Sequence, residues 1–187
     1  VRRLYPAARA ALLALELSGS TRGGGEPDRT THRVRVFDLS SPQSAPTLIN
    51  SPTSPIERLV FDKLGRRLAL LTDGATPTLT FMSLRERKMT RLTLSSETRP
   101  RELKISADGG SVFGLDAHQV TRWSAVDGRL ISRYRQAEMS PVAMHELGGD
   151  LVIAFSDQLQ RSRAALLTWP LEESRLSTPV SRPQEEV

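Results

Sequence analysis

Apolar and polar residues alternate with a period of two through much of this 187-residue chain, as in Thr78-Leu79-Thr80-Phe81 and Met89-Thr90-Arg91-Leu92-Thr93-Leu94. That alternation predicts short strands with one or both faces buried. Gly, Pro, Asp and Ser punctuate the runs. Four strand-like runs follow one another at residues 56–61, 67–72, 78–84 and 89–94. The set recurs at 102–105, 111–115, 119–125 and 129–134, with a tight Asp127-Gly128 turn, and again at 142–145, 151–155, 164–169 and 175–180. Near the start, Arg3-Leu4-Tyr5 and residues 11–17 and 32–39 fit the same template. Residues 19–31, with Gly23-Gly24-Gly25, are then an exposed loop. The Ala- and Leu-rich stretch also suits an amphipathic helix, but the strand reading completes a fourth unit.

Three registers support the repeat. The turn glycines Gly65, Gly109 and Gly148 form one, the bulky anchors Phe37, Met82, Trp123 and Trp169 a second, and Asp28, Asp73, Asp116 and Asp157 a third. All recur at roughly 40–45 residues, the period of propeller blades built from four antiparallel strands. The predicted fold is all-β: a β-propeller of about four four-stranded antiparallel blades, over approximately residues 1–51, 56–95, 101–136 and 141–181, with 182–187 as a tail. Phe37, Met82, Trp123 and Trp169 are expected to pack between blades, because one sheet alone leaves both faces wet.

The chain resembles WD40-type repeats over nearly its whole length. Val34-Arg35-Val36-Phe37-Asp38 is similar to the family's closing strand, with Phe in place of Trp. Trp123 and Trp169 keep the Trp, but Ser124 and Pro170 replace the following Asp, and the family's Gly-His pair is absent. The four turn aspartates sit roughly where the family has its structural Asp. The departures imply that hydrophobic packing, rather than the family's Asp-His network, holds these blades. Rings of this kind usually have about seven blades, within a range of roughly four to eight for propellers in general. The expectation is therefore an incomplete part of a larger ring, begun without an initiator Met at Val1, and self-associating when expressed alone. By resemblance the function is a non-catalytic protein–protein interaction scaffold whose protein partners offer acidic or phosphorylated segments.

Composition narrows the chemistry. There is no Cys, which excludes disulfides, zinc–thiolate sites, iron–sulfur clusters and thiol nucleophiles, and which suits an intracellular, cytoplasmic or nuclear, setting. The longest apolar run, residues 10–15, falls far short of the roughly 20 residues of a spanning helix. Val1-Arg2-Arg3 before an apolar stretch has the ingredients of a signal peptide, but Arg9 and Glu16 interrupt it. The net charge is +5 and the pI about 10.4; of the 26 basic residues all but Lys63, Lys88 and Lys104 are arginine. These are scattered among 21 acidic residues, with only 5% aromatics, which reads as a solvated surface rather than a nucleic-acid stripe.

Catalytic motifs are missing. No phosphate-cradling Gly-x-x-x-x-Gly-Lys-Ser/Thr occurs, and no serine sits in Gly-x-Ser-x-Gly. His32, His118 and His145 fall in different units and read as turn or strand-edge residues; no catalytic, cofactor-binding or metal-binding residue is nominated. Ser41-Pro42, Ser51-Pro52, Ser54-Pro55 and Ser140-Pro141 are predicted in loops, where phosphorylation or simple turn formation accounts for them. The candidates for a partner-binding rim are Arg58, Arg99, Arg101, His118 and Arg135, because arginine binds carboxylate and phosphate with a fork geometry. Two other readings stay open. A propeller-type enzyme, lactonase- or quinoprotein-like, needs the three histidines to converge. An RNA- or anionic-polymer-binding propeller needs the arginines on one face.

Overall fold

The computed structural model describes residues 3–7, 10–21, 29–50, 54–95, 99–135, 139–147, 150–157 and 164–170. Among these residues fifteen strands form four antiparallel sheets, each made from consecutive strands in chain order. The first holds β1 (Arg3–Pro6), β2 (Leu12–Thr21), β3 (Arg29–Asp38) and β4 (Thr47–Asn50). The second holds β5 (Ile56–Phe61), β6 (Arg67–Thr72), β7 (Thr78–Ser83) and β8 (Lys88–Thr93). The third holds β9 (Glu102–Ile105), β10 (Ser111–Leu115), β11 (Val120–Ser124) and β12 (Leu130–Tyr134). The fourth holds β13 (Met139–Leu147), β14 (Asp150–Asp157) and β15 (Ala164–Pro170); the fourth strand expected at 175–180 lies outside the described residues.

Alternation decides which core each side chain enters. In β6, Leu68 and Leu70 pack with Ala14, Val34, Val36 and Ile49 of the first sheet, whereas Ala69 and Leu71 pack with Leu103, Ile105, Val112 and Trp123 of the third. In β10, Val112 faces the second sheet, while Phe113 and Leu115 join Met144, Leu151, Ile153 and Phe155 of the fourth. Each buried Leu or Phe contributes about 1.5–3 kcal/mol. Strands covered on both faces read as continuous apolar runs, which is why β6 is buried almost throughout while the outer strand β8 is half exposed. Between the second and third sheets the closest strand contact is between their first strands, β5 and β9, whereas the third sheet meets the fourth through β10 and β13.

The anchors occupy equivalent register positions: Leu13 opposite Phe37, Leu68 opposite Met82, Val112 opposite Trp123, and Leu151 opposite Trp169. Met82 and Trp123 are buried between sheets as expected. Trp123 lies over Gly114, where an added Cβ would stand 2.6 Å from the indole and 2.8 Å from Pro100. Phe37 differs. Val34 and Val36 turn toward the second sheet, so Phe37 turns the other way, with Leu4 and Leu48, and those two leucines are 60% and 49% exposed. The Trp169 side chain, Asp28 and Gly148 lie outside the described residues. Two further expectations are corrected. β2 runs on to Thr21 and β3 begins at Arg29, so residues 19–21 and 29–31 of the loop predicted at 19–31 are paired strand, because Ser18 to Thr21 find ladder partners in Arg29 to His32; residues 22–28 lie outside the described residues. Ser140-Pro141 lies inside β13 and not in a loop; a bulge after Pro141 accommodates the missing N–H.

Polar ties cross every sheet boundary. Arg3 Nη1 donates to the carbonyls of Ile56 (3.4 Å) and Glu57 (3.0 Å). Arg67 Nη1 donates to Gly109 O at 2.6 Å, and Thr90 Oγ1 to Val126 O at 3.1 Å. Arg101 Nη2 donates to Pro141 O, and Glu146 Oε1 accepts from Ala107 N at 3.1 Å. Glu16 is fully buried where the second and third sheets have Leu71 and Leu115. Its Oε1 accepts from Ile56 N at 3.2 Å and lies 3.5 Å from His32 Nδ1. His32 is itself 3% exposed within β3, two residues before Val34 and not at a turn or strand edge, and its buried Nδ1 has the Glu16 carboxylate beside it as an ion-pair contact rather than a hydrogen bond.

Turn chemistry completes the units. Gly65 and Gly109 take φ of 68° and 73°, left-handed conformations that glycine adopts without a Cβ clash. Burial pushes the Asp108 carboxyl up, but the Ser106 hydroxyl and the Gly110 N–H outweigh it and hold the carboxyl below its ordinary 3.8.

Three outcomes follow from this packing. Gly114→Ala drives a methyl into Trp123 and Pro100 and lowers stability by about 1–3 kcal/mol in urea unfolding. Glu16→Ala strands the Ile56 N–H and removes the carboxylate beside His32, and costs roughly 3 kcal/mol in the same measurement. A depressed Asp108 stabilises the fold above the ordinary carboxylate value, and that stabilisation is lost as the pH falls through the folded value. The stability gap between the native chain and Ser106→Ala is therefore widest near neutrality and narrows in acid, read by denaturant titrations at stepped pH.

Candidate functional site

Antiparallel order gives the stack two distinct ends. One carries the hairpins β1–β2, β3–β4, β5–β6, β7–β8, β9–β10 and β11–β12; the other carries the β2–β3, β6–β7 and β10–β11 turns and the crossovers between sheets. All five residues nominated from the sequence lie at this crossover end. Arg58 stands near the start of β5, opposite Leu71 late in β6. Arg99 and Arg101 lie in the connection from β8 to β9, His118 in the β10–β11 turn, and Arg135 just past β12.

Their surroundings differ. Arg99 holds two carboxylates of the second sheet: Nε donates to Glu57 Oε2 at 2.9 Å and Nη2 to Asp73 Oδ1 at 2.6 Å, with 37% of the side chain exposed. The hydrogen bond to Glu57, with the charges of Glu57 and Asp73, raises the guanidinium above its ordinary value despite some loss to burial. Asp73 also accepts from Gly74 N at 2.8 Å, so the aspartate of the repeat register fixes both its own turn and the incoming crossover. Arg101 ties the third sheet to the fourth through Pro141 O. Arg58 is half-buried, and its Nε is shielded from water with no hydrogen-bond partner among the described residues. His118 and Arg135 are exposed. The turn that carries His118 is rigid, because Asp116 Oδ1 accepts from both His118 N (2.7 Å) and Gln119 N (3.0 Å).

Arg99 and Arg101 thus brace the end, and His118 and Arg135 face solvent from it. Only the repeat register of Asp73 signals a role for it in the sequence, and nothing in the spacing points to Glu57 as a partner of Arg99. The histidines do not converge. His32 is buried between the first and second sheets, His118 is in a turn of the third, and His145 is exposed on β13. Among the described residues no three His, Asp or Glu side chains are grouped to hold a metal ion. A shallow groove of about 200 Å³ between β8 and the third sheet is lined by Leu92, Thr93, Leu94, Ser95, Trp123, Leu130 and Arg133, a wall of mixed polarity without convergent acid–base groups. No described helix is long and apolar enough to cross a membrane.

No family model and no curated protein matches the sequence. Solved structures do. The β-propeller domain of the Trilobed protease from Pyrococcus furiosus, which has an open velcro topology, superposes with a TM-score of 0.67 at 9% identity, over 98% of this chain and 57% of that one. The acylaminoacyl peptidase of Pyrococcus horikoshii gives 0.60 at 14% identity, over 95% and 32%. The dihydro-heme d1 dehydrogenase NirN gives 0.60 at 17%, over 94% and 35%. The chain spans little more than half of the first and about a third of the others. At such identities the likeness concerns fold, and it agrees with the stacked sheets: the chain folds as successive blades of a β-propeller.

Proposed function

We propose that this chain is a non-catalytic protein–protein interaction scaffold of the WD40-like kind. In this reading the crossover end receives an acidic or phosphorylated segment of a protein partner in an intracellular setting. The observation that carries it is the gathering of Arg58, Arg99, Arg101, His118 and Arg135, far apart in sequence, at one end of a rigid stack. Loops fixed to a rigid frame make good recognition surfaces. Arg99 and Arg101 position the connection, leaving the Arg135 guanidinium and the His118 imidazole to contact the partner. The repeat registers shared with WD40 proteins support the same class. No cofactor enters this reading. The enzyme reading asks for histidines around one channel, and His32, packed against Glu16, is not available to it.

An array of acidic and phosphorylated peptides tests the proposal. The tightest binder should lose roughly tenfold or more in affinity to the double variant His118→Ala/Arg135→Glu, with an unchanged melting temperature. Undiminished binding by that variant, or preference for an oligonucleotide over every peptide, would sink the proposal.

A further inference from the structure

The opposite, hairpin end is not uniform. In the second sheet the β5–β6 turn and the β7–β8 turn lie side by side, joined by the Arg67–Ser83 ladder pair and a hydrogen bond from Leu84 N to Arg66 O at 2.8 Å. Together they expose Lys63, Arg66, Arg85, Arg87 and Lys88, and Leu64 stands among them at 58% exposure. Glu86 is their one exposed acid; Asp62 is buried, with Oδ1 accepting from Arg66 N and Arg67 N. Arg66 Nε lies 3.8 Å from Asp62 Oδ2, and the side chains of Lys63, Arg85, Arg87 and Lys88 make no ion pair among the described residues.

The third sheet builds the same two turns from different residues. Gly65 and Gly109 match in conformation, at φ 68° and 73°. At the positions of Lys63, Leu64 and Arg66 it has Ala107, Asp108 and Gly110; at those of Arg85, Glu86 and Arg87 it has Val126, Asp127 and Gly128. The last pair is informative. Gly128 takes φ 74°, and Arg87, its equivalent, takes φ 54°, the only non-glycine residue with positive φ among the described residues. A side chain with a Cβ is disfavoured in that region, and glycine is the residue that suits it. The second sheet keeps an arginine where its neighbour has the less strained residue. A retained strained residue points to what its side chain does.

We propose that the hairpin end of the second sheet is a docking surface for an acidic segment of a protein partner. Lys63, Arg85, Arg87 and Lys88 pair with its carboxylates, and Leu64 packs on an apolar residue within it. Free guanidinium forks match carboxylates bidentately. A nucleic acid fits less well, because among the described residues the large exposed apolar side chains are all aliphatic and offer no ring for a base to stack on. A lipid surface also fits less well, since one leucine inserts too little to anchor a domain. This surface lies at the other end from the one proposed above and stands or falls separately.

The test uses the whole chain and a labelled peptide of eight glutamates around a central leucine, followed by fluorescence anisotropy at physiological salt. Phosphatidylserine vesicles and a single-stranded oligonucleotide are run alongside. Lys63→Glu/Arg85→Glu/Arg87→Glu should weaken peptide binding at least tenfold or so, and Leu64→Ser about threefold. The charge-matched Arg33→Glu/Arg35→Glu/Arg133→Glu, away from the hairpin-end surface of the second sheet, should change it by less than about twofold. Arg87→Gly is the decisive single substitution: it relieves the backbone, so its melting temperature should equal or exceed the native value while binding falls, and it serves if the triple variant fails to fold. Equal loss in the charge-matched control, tighter binding to vesicles or oligonucleotide than to peptide, no peptide binding at all, or full binding by Arg87→Gly would each overturn the proposal.

Discussion

Everything in this molecule depends on sheets burying both faces against one another. A four-stranded antiparallel sheet of this size has no core of its own; it acquires one on each side when a neighbour is laid against it. The four consecutive residues Leu68-Ala69-Leu70-Leu71 show how literally this is done, since alternate side chains serve two different cores. A shift of one residue in β6 would exchange the two sets and ruin both interfaces, so the register of each central strand is specified twice over. The same logic locates the polar exception. Glu16 occupies a site that is leucine in the next two sheets, where Ile56 N donates to its carboxylate and the His32 ring lies 3.5 Å from it.

Much of this was legible in the sequence, for a physical reason. Period-two alternation, turn residues at regular intervals and the recurrence of one bulky position are local signals, and here local and tertiary preferences agree. Strands 56–61, 67–72, 102–105 and 111–115 therefore match expectation at both ends. The failures are of another kind. The extension of β2 to Thr21 depends on which residues Arg29 to His32 choose as ladder partners, and Ser-Gly-Ser-Thr has no strand signature of its own. Phe37 shares its register with Met82 and Trp123, yet no described sheet covers it, because register says which face a residue takes and not what lies beyond it. His32 looked like an edge residue because the glutamate it meets is sixteen positions back, brought diagonally across from it only when β2 and β3 pair.

The candidate site was half legible. Residue type and the crossover position brought five side chains to one end, but the division of labour among them came from contacts across tens of residues. Arg99 meets Glu57 and Asp73, and Arg101 meets the carbonyl of Pro141. An arginine's five donors serve a scaffold and a ligand equally well, so its presence in a loop does not distinguish a brace from a contact. Exposure and the partners already engaged make that distinction.

Arginine's part in the scaffold also bears on how freely the ends can vary. Arg3, Arg67 and Arg101 each join a neighbouring sheet by donating to a backbone carbonyl. A carbonyl is present whatever the side chain, so these ties constrain the neighbour's path and leave its residue types open. Within one chain the consequence is visible in two superposable pairs of turns, one neutral to acidic in the third sheet and one basic in the second. The frame of each turn is set by ladder pairing and a left-handed residue near its end. Once that frame is held, the exposed positions are released from structural duty. The residue that departs from the frame's own preference, Arg87 where glycine is the easier fit, is then the one whose identity the fold does not explain.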